Sequence, residues 1–132
     1  MTKIEEYIKA NEGWSAVPYQ DTRGIWTGGW GFNFSIGIPP KVAQFWLEYK
    51  IEEAFLLLIK NIRGFIDLPE NVRMVLIDMT YNMGLGGLLT FKKMLIAIEE
   101  GDYKKASEEL MDSEYARQVP NRALKNRDLL EK

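Results

Sequence analysis

Residues 11–33 read NEGWSAVPYQDTRGIWTGGWGFN, and the rest of the chain is read outward from them. The stretch carries two carboxylates, Glu12 and Asp21, with Thr27 six residues after the second. Helical periodicity stops at Trp14. Residues 17–19, 24–27 and 30–33 have the pattern of short strands set between turn formers. Asp21-Thr22-Arg23-Gly24 is a turn signal joining the first two. Gly28, Gly29 and Gly31 permit sharp bends or a close approach to backbone. The pattern predicts a small, irregular antiparallel sheet that cannot stand alone.

On the N-terminal side, Thr2 to Asn11 reads as a helix. Thr2 and Glu5 form a capping-box pattern, and Gly13 ends the run. Ile4, Ile8 and Glu12 share one stripe, with Tyr7 beside them. A carboxylate on a buried helix face is costly unless paired or neutral, so this placement hints at a task. On the C-terminal side, Ser35 to Pro40 is a loop into one long helix, Lys41 to Asn61. Its second half is apolar nearly all round and is expected to be buried. Further helices are predicted over 69–83, 88–100, 102–111, 113–117 and from Pro120 to about 130, with Gly84-Leu85-Gly86-Gly87 as a break.

Composition removes several chemistries. The 132 residues suffice for one domain with a sizeable core. There are no cysteines and no histidines, so disulfides, thiol nucleophiles and imidazole bases or metal ligands are excluded. No metal or cofactor is expected. The net charge of −2 gives no support for nucleic-acid binding. The start lacks a signal-peptide pattern, and the longest apolar run, residues 54–59, is too short to span a bilayer. Synthesis in the cytoplasm without stable membrane insertion is therefore expected.

Paired carboxylates can cleave a glycosidic bond if one stays protonated and the other ionised. Glu12, at a helix end, is the candidate acid. Asp21, in a polar turn beside Arg23, is the candidate ionised partner, and Thr27 could hold a water. The plainer alternative stays open at this point: Asp21 as a turn residue, Thr27 as strand filler. The aromatics Trp14, Trp26, Trp30, Phe45 and Trp46 read as core by default, although one or two could line a sugar cleft. No phosphate-loop pattern is present, because Gly28-Gly29-Trp30-Gly31 lacks the required lysine ending.

Three segments resemble the phage-type (T4 endolysin-like) lysozymes, glycoside hydrolase family 24. The first is Glu12-Gly13, Tyr19-Gln20-Asp21-Thr22-Arg23-Gly24 and Thr27-Gly28-Gly29-Trp30-Gly31. The second is Tyr81-Asn82-Met83-Gly84 with Phe91, and the third is Gln118-Val119-Pro120-Asn121-Arg122-Ala123. The resemblance implies an α+β, mostly α fold over residues 1–132. It would have a small antiparallel β lobe (13–38), a long connecting helix (39–62) that allows hinge motion, and a helical lobe (1–12 and 63–132). It also implies an inverting muramidase that hydrolyses the β-1,4 bond between N-acetylmuramic acid and N-acetylglucosamine in peptidoglycan. Glu12 would be the general acid, Asp21 the second carboxylate, and Thr27 the residue that positions water. Arg122 would partner Glu12, while Asn33, Tyr81, Asn82 and Gln118 would contact substrate.

Departures from the family pattern accompany the match. Phe32 stands where a histidine is common and Gly28 where an apolar residue is common, and the segment between Asn33 and Pro39 is short. The chain is acidic where many relatives are basic. The cluster of Arg117, Arg122, Lys125 and Arg127 is the expected local compensation for attraction to an anionic wall. The implied partner is the peptidoglycan glycan strand, met by a monomer that needs a holin-like pore for release from the host cytoplasm. Two rival readings remain. A lytic transglycosylase would keep the glutamate but need no second acid, and a peptidoglycan-binding module would have a degenerate site.

Overall fold

Thr2 starts the first helix as its neighbours dictate. In the computed structural model, which describes residues 2–132, the Thr2 hydroxyl accepts the Glu5 amide and the Glu5 carboxylate accepts the Thr2 amide. That reciprocal cap satisfies two amides that a helix start leaves unpaired. Helix α1 runs Lys3–Glu12 and stops at Gly13, whose φ of 73° suits only glycine without strain. The chain divides into two units. One reaches to Phe45 and the other is Trp46–Lys132.

In the first unit the sheet has the order β1-β2-β3, antiparallel throughout. The strands are β1 (Ser15–Gln20), β2 (Trp26–Gly29) and β3 (Phe32–Asn33). Each begins or ends within a few residues of its expected place. Register shifts between Ser15 and Tyr19 on β1, where Pro18 has no amide to give to a ladder. The sheet is indeed small and irregular. Only Thr27 and Gly28 are buried among the described residues up to Phe45.

That thin core corrects one expectation. No residue of α1 is buried, and Ile4, Tyr7, Ile8 and Glu12 are all exposed. The apolar stripe does not bury Glu12, because its own unit has too little surface to cover a helix. The departures at 28 and 32 have a steric account. A Cβ at Gly28 would collide with the Phe34 ring, and one at Gly29 with the Phe32 ring. Both aromatic rings thus lie where side chains on β2 would otherwise stand.

Helix α2 spans Pro40–Asn61, and the boundary between the units falls inside it. Its second half is less buried than its composition suggests. Ala54 and Leu58, one turn apart, reach the core, whereas Leu56 and Ile59 are exposed. The other helices are α3 (Glu70–Leu89), α4 (Lys92–Glu99), α5 (Tyr103–Met111), α6 (Glu114–Gln118) and α7 (Pro120–Leu130). Gly84 breaks α3 with φ 78° and ψ 165°, at the point where the glycine-rich run begins. Asp102 and Ser113 each cap a helix start, and Pro120 opens α7 at a position where its missing amide does no harm. Leu58, Phe65, Leu76, Met79, Leu110 and Leu130 are among the fully buried side chains that hold this unit together. The fold is mostly α with one small antiparallel sheet.

Candidate active site

Four of the candidate residues, Glu12, Asp21, Thr27 and Asn33, belong to the first unit. Glu12 ends α1, and Gly31 lies in the β2–β3 turn four residues after Thr27. A Cβ at Gly31 would land on the Glu12 carboxylate, so the two are in close approach and the glycine is what admits the acid. Its φ of 74° is a second reason for glycine there. The sheet turn and the helix end thereby converge on one carboxyl group. The sequence marks Gly31 as a place for a bend or a close approach to backbone, without showing what approaches.

Asp21 sits at the β1–β2 turn. Its Oδ1 accepts the Arg23 amide at 2.8 Å and the Ile25 amide at 3.0 Å, and its Oδ2 lies 3.5 Å from the Arg23 guanidinium. The Ile25 amide, aided by the Arg23 amide and charge, outweighs desolvation and holds the Asp21 carboxyl below the usual aspartate range. Asp21 is thus both a turn residue and an ionised carboxylate. Because the depressed pKa belongs to the folded state, Asp21 stays charged as pH falls below the free aspartate value of about 3.9. Acid loss of any activity that needs this carboxylate therefore begins below that pH. Removing the Arg23 side chain moves that limb upward only modestly, because the two backbone amides remain. A pH–rate profile of wild type and Arg23→Ala checks both points.

Thr27 is buried at 7% exposure, opposite Asn33 and Tyr19 in the sheet. Its hydroxyl donates to the Ile25 carbonyl at 3.0 Å. With its proton committed there, the oxygen is left as an acceptor. Asn33 uses its side-chain oxygen on the Ser35 amide and hydroxyl, which leaves its NH2 group as the part able to bind a ligand.

The remaining candidates lie in the second unit. Asn82 and Gln118 line one groove of about 790 Å³, together with Phe91 and Tyr115, whose rings meet edge to face. Tyr81 lines a different pocket of about 260 Å³ with Lys50, Glu53 and Thr80. Arg122 holds Asp78 in a two-point fork, Nε to Oδ2 at 2.9 Å and Nη2 to Oδ1 at 2.6 Å. Asn126 also donates to Asp78, at 3.0 Å. Burial pushes the Asp78 carboxyl up, but the Arg122 and Asn126 hydrogen bonds prevail and hold it below its ordinary value.

A depressed folded-state pKa contributes stability above the unfolded value and loses it as pH falls through the folded value. Unfolding in urea should therefore show this unit weakening below about pH 4. Asp78→Ala should cost roughly 1 kcal/mol at neutral pH, since the pair is about a third exposed and solvent screens it. A flat pH dependence in the acid range would remove the assigned role of the pair. Asp78 and Asn126 were missed in the sequence. The available signal was an acid beside the 72, 75, 76 and 79 apolar stripe of α3.

The cation cluster is corrected. Arg117 pairs with Glu114, Arg122 with Asp78 and Arg127 with Asp128. Three of its four charges are matched by the protein's own carboxylates, so the expected surplus is largely spent locally. Among the described residues, no helix is long and apolar enough to cross a membrane.

Comparison with known proteins finds relatives over most of the chain. The model of the Phage lysozyme family matches residues 9–131. A probable T4-type lysozyme from Dictyostelium discoideum is 28% identical, with 93% of this chain and 90% of that protein covered. SAR-endolysins of Enterobacteria phages P21 and PA-2 are each 31% identical over 80% of this chain. This chain covers 65% of the length of those two endolysins.

Proposed function

The chain belongs to the phage lysozyme family, and from that premise we propose that it hydrolyses the β-1,4 bond between N-acetylmuramic acid and N-acetylglucosamine in bacterial peptidoglycan. The observation that carries the reading is the approach of Glu12 to Gly31 in the β2–β3 turn, beside the strand β2 that holds Thr27 and follows the Asp21 turn. Glu12 gives its proton to the leaving glycosidic oxygen. Water attacks the anomeric carbon from the opposite face, so configuration inverts. Asp21, kept ionised by its amide bonds, stabilises the cationic sugar and takes the proton that water releases. Thr27, its own proton given to Ile25, accepts a hydrogen bond from that water and aims its lone pair.

Asn33, Tyr81, Asn82 and Gln118 are proposed substrate contacts, and Arg122 the partner of Glu12. The protein would act as a monomer, made in the host cytoplasm, and would reach the wall through a holin-like pore. Clearing of chloroform-treated Gram-negative cells, followed by mass analysis of the fragments, tests the reaction. Reducing ends that have gained water are expected. Muramyl ends one water lighter would mean a transglycosylase instead, and wall binding without clearing would mean a binding module. Lysis on expression without any pore-forming protein would overturn the route of release.

A further inference from the structure

Two tryptophans stand beside Glu12 with no part in the proposed chemistry. Trp14 follows Glu12 by two residues, and Trp30 precedes Gly31, the residue against which the Glu12 carboxylate lies. Their ring centroids are 4.5 Å apart with the planes tilted by 48°. The Lys9 ammonium sits 4.2 Å from the Trp30 ring centre. Trp30 is half-buried, yet Trp14 is 62% exposed. An indole of this size left open to water forgoes a large burial gain unless something covers it in use.

We infer that Trp14, braced by Trp30, is a stacking platform for a pyranose ring of the β-1,4-linked N-acetylated aminosugar chain, next to the bond whose leaving oxygen Glu12 protonates. This inference rests on the hydrolase reading and adds a substrate-binding residue to its site. Three features of the pair fit that occupant. In a β-1,4-linked aminosugar the ring substituents are equatorial, so each ring face is a flat apolar patch of C–H groups that matches an indole in size. Trp30, contacted by both Trp14 and Lys9, restricts the pair and lowers the entropy lost on binding. The exposed indole N–H can donate to a hydroxyl or acetamido oxygen at the ring edge.

The test separates binding from cleavage. In the Glu12→Gln protein, a β-1,4 N-acetylglucosamine hexamer is titrated while tryptophan fluorescence is followed. Saturable change is expected, with binding weakened about tenfold by Trp14→Ala, the loss of one good aromatic contact. Trp14→Tyr should recover most of it. In the active protein, Trp14→Ala should raise KM on soluble glycan strands more than it lowers kcat. Should the alanine variant fold poorly, N-bromosuccinimide oxidation of the parent protein with and without hexamer, mapped by mass, reads the same contact. Protection is expected at Trp14 and not at Trp26, which is 52% exposed. Unchanged binding in Trp14→Ala, or equal oxidation with and without sugar, overturns the platform even if the protein clears cell walls. Failure to clear walls with Trp14-dependent sugar binding intact overturns the hydrolase reading and leaves the platform standing.

Discussion

On the proposed mechanism, replacing Glu12 by glutamine should lower the clearing rate of peptidoglycan by about a thousandfold while leaving the protein folded, because a positioned general acid typically contributes 10²–10⁴. Glutamine keeps the size and hydrogen-bonding reach of the side chain but has no proton to give the leaving oxygen. Glu12 is exposed at the end of α1, and no partner bond of its carboxylate holds the cap, which Thr2 and Glu5 form at the other end. Thermal and urea midpoints should therefore stay within about 0.5 kcal/mol of wild type. Wall sedimentation should still pull the variant down, since the substrate contacts proposed for Asn33, Tyr81, Asn82 and Gln118 are untouched. Clearing by Glu12→Gln at more than a tenth of the wild-type rate would remove Glu12 from the role of acid. Arg122→Ala in the same assay reads the proposed partnership. Unaltered kcat and KM would leave that arginine only its structural fork on Asp78.

What could be read in the sequence was what is local in the chain. Thr2 and Glu5 are three residues apart, and a cap between them depends on nothing else. The Asp21 turn is equally local, with all of its donors at Arg23 and Ile25, so a single segment contains the whole device. The break at Gly84 and the start at Pro120 follow from single residues, the glycine's backbone freedom and the proline's fixed φ and missing amide. By contrast, Arg122 and Asp78 are 44 residues apart, and no pattern in either segment says which carboxylate an arginine will find. Three of the four cations near the C-terminus are matched, one by the distant Asp78 and two by the neighbouring Glu114 and Asp128, acids that a count of cations alone leaves out. Burial was read worst. Ile4, Tyr7 and Ile8 have helical spacing, but spacing names a face without saying what covers it. The Glu12–Gly31 approach belongs to the same class, being a contact between a helix end and a turn 19 residues on.

That approach makes Gly31→Ala the most damaging small change away from the acids themselves. Two separate effects are superposed. The φ of 74° disfavours any residue with a Cβ, by roughly 1–2 kcal/mol. The new methyl would also occupy the space of the Glu12 carboxylate, which must swing aside. The second effect costs little stability, because the displaced atoms are the free end of a flexible side chain. Its cost falls on catalysis, where misplacement of a reacting group by about 1 Å can lower the rate a hundredfold. Gly37→Ala separates the two. Gly37 has φ 87° and nothing within 4 Å of its would-be Cβ, so it carries the strain without the collision. Both variants should lose similar stability in urea. At a temperature where both are folded, Gly31→Ala should lose about a hundredfold in kcat, whereas Gly37→Ala keeps nearly all of it. Equal activity in the two would mean that the Glu12 carboxylate does not work from its place against Gly31. The sheet turn would then be a neighbour of the acid and not its support.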